Sequence, residues 1–181
     1  AQRMFILTGE SKYADVIERV MYNGIIAGIS LDGISFFYEN PLEINLINHN
    51  RHICVSNGER LPITQRKEVF DCSCCPPNLT RFVASLGDYI FAESGDAIYV
   101  NQFIESEYEE NGQSISIRTE YPSQGTVEIK SSFDKAVTVR IPSWCSRFTA
   151  SVPYTRKGGY IFFDKGISDI IIIFDISPVI N

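Results

Sequence analysis

Residues 78–103 read NLTRFVASLGDYIFAESGDAIYVNQF, and the periodicity changes partway along that run. Asn78 to Leu86 reads as a short helix ended by Gly87, whereas from Asp88 onward the apolar residues recur with a period of two. The alternation continues through probable strands at 89–93, 97–103, 114–120, 126–131, 136–141, 148–152, 160–164 and 169–174, separated by Gly, Asn, Asp and Pro. Eight short strands at that spacing predict an antiparallel β-sandwich. The boundary between a helical first domain, residues 1–87, and a β-sandwich domain, residues 88–181, therefore falls near Gly87. The fold class is α+β.

Upstream of that switch the signals are helical. Ser11 is positioned to cap a helix running to Gly24 or Gly28, with Tyr13, Val16, Ile17, Val20 and Met21 forming its core-facing stripe. Glu18 lies beside the stripe with Ala14, Met21, Tyr22 and Ile25 as helical neighbours, and the ordinary reading is a boundary carboxylate that reaches solvent. Residues 29–43 contain an Asp-Gly turn between two short runs and read as a hairpin with Tyr38 on its second strand. Residues 44–67 form a long polar connection without a clear period.

Composition narrows the function classes. Hydrophobic residues make up 44% of the 181 and charged residues 21%, the proportions of a folded globular chain. Sixteen Lys plus Arg against 22 Asp plus Glu give a net charge of −6, which argues against nucleic acid as a partner. The longest aliphatic run, 170–174, is too short to span a bilayer, and no stretch reads as a signal peptide or a membrane partner. Residue 1 opens AQRMFIL, which reads as the middle of an apolar helix, so the chain is expected to be part of something longer.

Five cysteines stand at 54, 72, 74, 75 and 145, an odd number in a chain too large to need stapling, so thiols rather than disulfides are the default. Thiols favour the cytoplasm over the periplasm. Three of them cluster in Cys72-Ser73-Cys74-Cys75, followed by Pro76-Pro77-Asn78. The prolines keep the segment extended until a helix starts, and Asn78 as its cap, with Arg81 in the first turn, would place positive potential beside the sulfurs. Such thiolates serve as metal ligand, nucleophile or redox partner. For a zinc ion, His49, His52, Cys54 and Glu18 are available further donors, none at an identifying spacing. The competing reading is three small hydrophobes at a domain junction, or a strained bond between Cys74 and Cys75.

The runs YADVIERVMYNG (13–24), SLDG (30–33), FFYENPLE (36–43) and FDCSCCPPN (70–78), with RIPSW (140–144) further on, resemble glycoside hydrolase family 127, the β-L-arabinofuranosidases and their relatives. The resemblance implies an (α/α)6 catalytic barrel followed by β-sandwich domains, and a retaining hydrolysis in which a zinc-bound cysteine attacks the anomeric carbon while a glutamate serves as acid and base. It assigns Cys74 as nucleophile and zinc ligand, Cys75 as a second zinc ligand, and Glu18 and Tyr38 as contacts to substrate hydroxyls. The partner would be an arabinose-containing oligosaccharide or glycoconjugate. The family's other two zinc ligands, in a Glu-Thr-Cys element, and its acid/base glutamate match nothing in these residues. The expectation is therefore a C-terminal part of such an enzyme, a barrel remnant plus a sandwich, inactive alone and able to self-associate through exposed barrel-edge helices.

Two other readings compete. In one, the sandwich is a non-catalytic carbohydrate-binding or structural module, with Tyr99, Phe103, Tyr108, Tyr121 and Trp144 as candidate sugar platforms. In the other, Cys72, Cys74 and Cys75 with Cys54 or a histidine form a small zinc-binding interaction module.

Overall fold

The computed structural model describes residues 1–38, 40, 65–70, 74 and 76–178. They form two compact units, one of residues 1–17 together with those from 87 onward, the other of residues 18–86.

The first unit is built on ten strands. These are β1 (Phe91–Ser94), β2 (Ala97–Val100), β3 (Ser106–Glu110), β4 (Gln113–Thr119), β5 (Thr126–Ser131), β6 (Ala136–Arg140), β7 (Phe148–Ala150), β8 (Thr155–Lys157), β9 (Tyr160–Phe163) and β10 (Asp169–Phe174). One sheet has the order β1-β2-β6-β9-β8 and the other β3-β4-β5-β10-β7. Strict alternation explains the layering. In β10, Ile170, Ile172 and Phe174 are buried while Asp169, Ile171 and Ile173 face outward, and β5 alternates likewise. The inward residues of both sheets, among them Ile98, Val139 and Ile161 from one and Ile117, Ile129 and Ile172 from the other, form a single core. Each such buried side chain stabilises the fold by about 1.5–3 kcal/mol.

Three expectations about the sheets need correction. The sheets are not wholly antiparallel, because β2 and β6 pair in parallel, Ala97 opposite Ala136 and Val100 opposite Val139. The chain leaves β2 for the other sheet, makes β3 to β5 there, and re-enters beside β2 in the same direction, a crossover that no hairpin could make. Residues 87–90 form a helical turn, α4 (Gly87–Ile90), so the first strand starts at Phe91 and not at Tyr89. Two strands carry no apolar alternation: β3 reads SEYEE and β8 reads TRK. Both lie at sheet edges, where exposed charge discourages pairing with another chain. Asn111 and Gly112, at φ 52° and 75°, supply the paired left-handed conformations of the tight turn between β3 and β4.

Strand β6 is buried on both faces. The second face of its sheet meets α1 (Gln2–Thr8) and α2 (Ser11–Arg19) in a smaller core of Phe5, Ala14 and Tyr160, flanked by Tyr13, Ala92, Tyr99 and Phe162. The expected stripe on α2 is rotated. Val16 and Val20 are exposed at 41% and 49%, whereas Ala14, Asp15, Ile17, Glu18 and Met21 are buried. Charge turns the helix. Asp15 Oδ1 accepts from Arg140 Nη1 at 2.5 Å, and the guanidinium is completely buried. Arg140 Nε also donates to the Asn101 carbonyl at 2.6 Å and its guanidinium lies 5.3 Å from the Phe103 ring centre. The Ser143 N–H donates to Asp15 at 3.2 Å, the Tyr160 hydroxyl to Asn101 Oδ1 at 3.0 Å, and Gln102 Nε2 to the Ala14 carbonyl at 3.0 Å. Ser11, expected as a cap, is the first residue of α2 and rests on the backbone of Gly159, where an added Cβ would lie 2.0 Å from its Oγ and 2.7 Å from its Cβ.

In the second unit the helical path continues beyond α2 as a π-helical turn, Val20–Ile25, and a 3-10 turn, Ile26–Gly28. The expected hairpin at 29–43 reduces to one bridge, Ile29 to Phe36, closed by a turn at 31–34; residues 41–43 lie outside the described residues. Tyr38 accordingly sits on a bend and not on a strand. The last helix of the unit is α3 (Pro77–Ala84). Among the described residues no helix is long and apolar enough to cross a membrane.

Removing one partner of the Asp15–Arg140 pair leaves a buried charge uncompensated. Asp15→Ala is expected to cost about 3–5 kcal/mol of unfolding free energy in urea titrations; a loss below about 1 kcal/mol would show that the pair is not what seats α2. Gly159→Ala is expected to cost about 1–3 kcal/mol by overpacking, read as a lowered Tm.

Candidate active site

The candidate site lies in the second unit, and a set of backbone contacts explains why distant residues meet there. The turn after Ile29 is tied by the Asp32 carboxylate, which accepts from the Ser30 hydroxyl and from the Ile34 N–H at 3.0 Å. These bonds, the serine hydroxyl foremost, hold the Asp32 carboxyl below the usual range. Phe36 and Lys67 then exchange backbone hydrogen bonds at 3.1 and 3.0 Å, which brings residues 65–70 back against the segment leading to Tyr38. Arg66 locks the same junction: Nη2 donates to the Ala27 carbonyl at 2.7 Å, Nε to the Gly28 carbonyl at 3.2 Å, and the guanidinium lies 4.5 Å from the Phe37 ring centre. A cation on the last carbonyls of a helical segment is electrostatically favourable. Asn40 Nδ2 donates to the Gly24 carbonyl at 2.7 Å.

Three rings follow. Phe36 and Phe70 lie 5.5 Å apart and Tyr38 meets Phe70 edge-on at 5.3 Å. At the end of this stack the Tyr38 hydroxyl and Cys74 Sγ are in hydrogen-bond contact at 2.5 Å. Cys74 is exposed, whereas Cys145 is buried. Burial pushes the Cys145 thiol up and keeps it protonated near neutral pH.

Of the residues singled out from sequence, Tyr38 and Cys74 are therefore joined directly. Glu18 is carried by α2 and is 5% exposed, so it does not reach solvent as a boundary carboxylate would; a carboxylate so buried requires polar partners. Cys75, Cys72, Cys54, His49 and His52 lie outside the described residues. Asn78 is not the cap of α3. Pro76 occupies that position without a side-chain cap bond, and Asn78, inside the first turn, accepts from Arg81 Nη2 at 2.7 Å. Arg66 and Lys67 were not anticipated, because residues 44–67 carry no period.

A zinc ion takes four donors in a closed site. Among the described residues no three His, Cys, Asp or Glu side chains gather closely enough to hold a metal. The donor set described does not by itself fit a zinc ion.

Comparison with known proteins places these features. Residues 1–88 match the family profile described as β-L-arabinofuranosidase, GH127 catalytic domain, and residues 97–160 match that described as GH127 middle domain. A curated relative from Bifidobacterium longum subsp. longum, a non-reducing end β-L-arabinofuranosidase, is 37% identical over 157 residues, 80% of this chain and 23% of its own length. The crystal structure of a GH127 β-L-arabinofuranosidase from Geobacillus stearothermophilus T6 superposes with a TM-score of 0.76 at 36% identity, covering 96% of this chain and 29% of that one. A solved structure titled only as a glycoside hydrolase gives a TM-score of 0.78 at 28% identity, over 96% of this chain and 30% of that one. The chain thus spans about a quarter of the length of the curated relative it matches. With catalytic-domain and middle-domain profiles matched in order and agreeing with both sequence and structural relatives, the chain belongs to glycoside hydrolase family 127.

Proposed function

We propose that residues 18–86 carry the nucleophile of a retaining glycoside hydrolase acting on β-L-arabinofuranosides, with Cys74 in that role. The observation that carries this reading is the Tyr38–Cys74 contact, set within the segment that matches the GH127 catalytic domain. The name of the curated relative supports the sugar class. In this scheme the Cys74 thiolate attacks the anomeric carbon, a C–S bond forms as the glycosidic C–O bond breaks, and a general acid protonates the departing oxygen. Water, deprotonated by the same residue, then displaces the sulfur and releases the sugar with its configuration retained. A sulfur replaces one of the two carboxylates of the usual retaining design.

Tyr38 suits this role, because a phenol hydroxyl can donate to the Cys74 sulfur and its oxygen can accept from a sugar hydroxyl. Glu18, buried on α2, would accept from another hydroxyl. Cys74 and Cys75 supply two thiolates, half of a tetrahedral zinc set, and the remaining two donors together with the acid/base glutamate are proposed to come from residues beyond these 181. Helices α1 and α2 are read as elements of an (α/α)6 barrel. The exposure of Met4, Ile6 and Leu7 on α1 supports this, since such side chains pack against further helices in a barrel.

With part of the donor set and the acid elsewhere, the 181-residue chain is expected to give no turnover of an aryl β-L-arabinofuranoside. Turnover abolished by Cys74→Ala would overturn the inactivity of the chain alone, and turnover indifferent to Cys74→Ala would overturn the assignment of the nucleophile. Metal analysis under reducing conditions should find no tightly held zinc; one ion per chain would mean that the chain contains a full donor set. Exposure and protonation together predict that a haloacetamide near neutral pH alkylates Cys74 well before Cys145, followed by peptide mapping, with Cys145 gaining reactivity only as pH rises.

A further inference from the structure

Residues 65–70 return beside the segment 36–38, and two of their side chains hold it. Successive side chains of extended chain alternate in direction, and the contacts follow that rule: the Arg66 guanidinium lies 4.5 Å from the Phe37 ring centre, whereas the Phe70 ring meets Phe36 at 5.5 Å and, edge-on, Tyr38 at 5.3 Å. The backbone is fixed as far as Phe37, because Phe36 and Lys67 exchange hydrogen bonds and the Phe37 N–H donates to the Gly28 carbonyl at 3.0 Å. Tyr38 follows on a bend. Its hydroxyl is at the far end of a side chain that turns about its χ torsions, so a small rotation sweeps the oxygen widely, yet that oxygen stands 2.5 Å from Cys74 Sγ.

We infer that Phe70 is a positioning residue for Cys74 and acts through Tyr38: its ring, packed on both Phe36 and Tyr38, sets the orientation that brings the phenol oxygen to the sulfur. The inference deepens the reading of Cys74 as nucleophile and rests on it for its catalytic meaning. A catalytic group tolerates departures of only about 0.5 Å and 10–20° from its working geometry, and neighbours that lock its rotamer keep it there. Edge-on aromatic pairs are directional, since the positive rim of one ring seeks the negative face of the other, so Phe70 opposes rotation of Tyr38 in a way that an aliphatic side chain of similar size does not. Phe70 is itself held by Phe36, whose backbone the Lys67 bridge fixes, so the restraint on Tyr38 is anchored to hydrogen-bonded chain. All of these residues belong to the unit 18–86.

The test is NMR of the 181-residue chain, reduced and labelled at tyrosine, phenylalanine and cysteine. The Tyr38 ring protons are expected to show nuclear Overhauser contacts to both the Phe70 ring and the Cys74 Cβ protons. Tyr38→Phe, which removes the hydroxyl, should move the Cys74 Cβ resonance. Phe70→Leu should abolish the Tyr38–Cys74 contact and move the same resonance while Tyr38 is present, but add nothing in a Tyr38→Phe background. Phe70→Tyr, which keeps the ring, should restore the contact and the resonance. A merely structural role for Phe70 would move the Cys74 resonance equally in both backgrounds, and that result overturns the inference, as does a Tyr38–Cys74 contact that survives Phe70→Leu. If Phe70→Leu does not fold, the unsubstituted chain still decides: absence of the Tyr38–Phe70 contact there overturns the inference as well. None of these signals depends on turnover, so turnover indifferent to Cys74→Ala would overturn the nucleophile while leaving the coupling of Phe70, Tyr38 and Cys74 in place.

Discussion

The Asp15–Arg140 ion pair is the constraint on which the helix placement depends. Arg140 ends β6 on the face opposite the main core, and a fully buried guanidinium is tolerable only with its donors and its charge matched. Asp15, the Asn101 carbonyl and the Phe103 ring supply that match. Satisfying it rotates α2 so that Asp15 faces the sheet. Two valines are left in solvent as a consequence. The electrostatic requirement outweighs their burial, because a valine exposed at about half its surface forgoes little of its transfer energy, whereas an unpaired buried charge costs several kcal/mol.

The sheets follow a simpler rule. Strands that face a core on one side alternate, and strands covered on both sides or lying at an edge do not. Strand β6 is covered on both sides, by the common core and by α1 and α2, and carries Thr138 and Arg140 where a one-sided strand would carry exposed polar residues. The parallel pairing of β2 with β6 places those two residues beside Tyr99 and the β2 terminus, where the polar network begins. Topology, not composition, therefore decided where a charged residue could be buried.

In the second unit, proximity is produced by a few backbone bonds and rings and not by a regular sheet. The reciprocal Phe36–Lys67 bridge and the Arg66 clamp on the carbonyls at 27 and 28 return the chain to its own earlier segment, and the Phe36–Phe70–Tyr38 rings carry that alignment to Cys74. A thiol meeting a phenol 36 residues away gives the cysteine cluster a defined neighbour. The family membership gives that pair a chemical context.

Some of this was legible directly. Residues 126–131 and 169–174 alternate strictly and end in turn residues, and they form β5 and β10 with those bounds. The Cys-Cys-Pro-Pro-Asn element and its flanks pointed to the family on local identity alone, since a rare residue combination survives without any knowledge of the fold. Local sequence thus determined strand periodicity, the helical path from residue 11, and the family. Tertiary structure alone decided the rotation of α2, the parallel pairing, the charged edge strands and the meeting of Tyr38 with Cys74. The reason is physical: periodicity records which side of an element avoids water, but an ion pair between residues 125 apart, or a ring stack closed by a distant bridge, depends on contacts that no local pattern encodes.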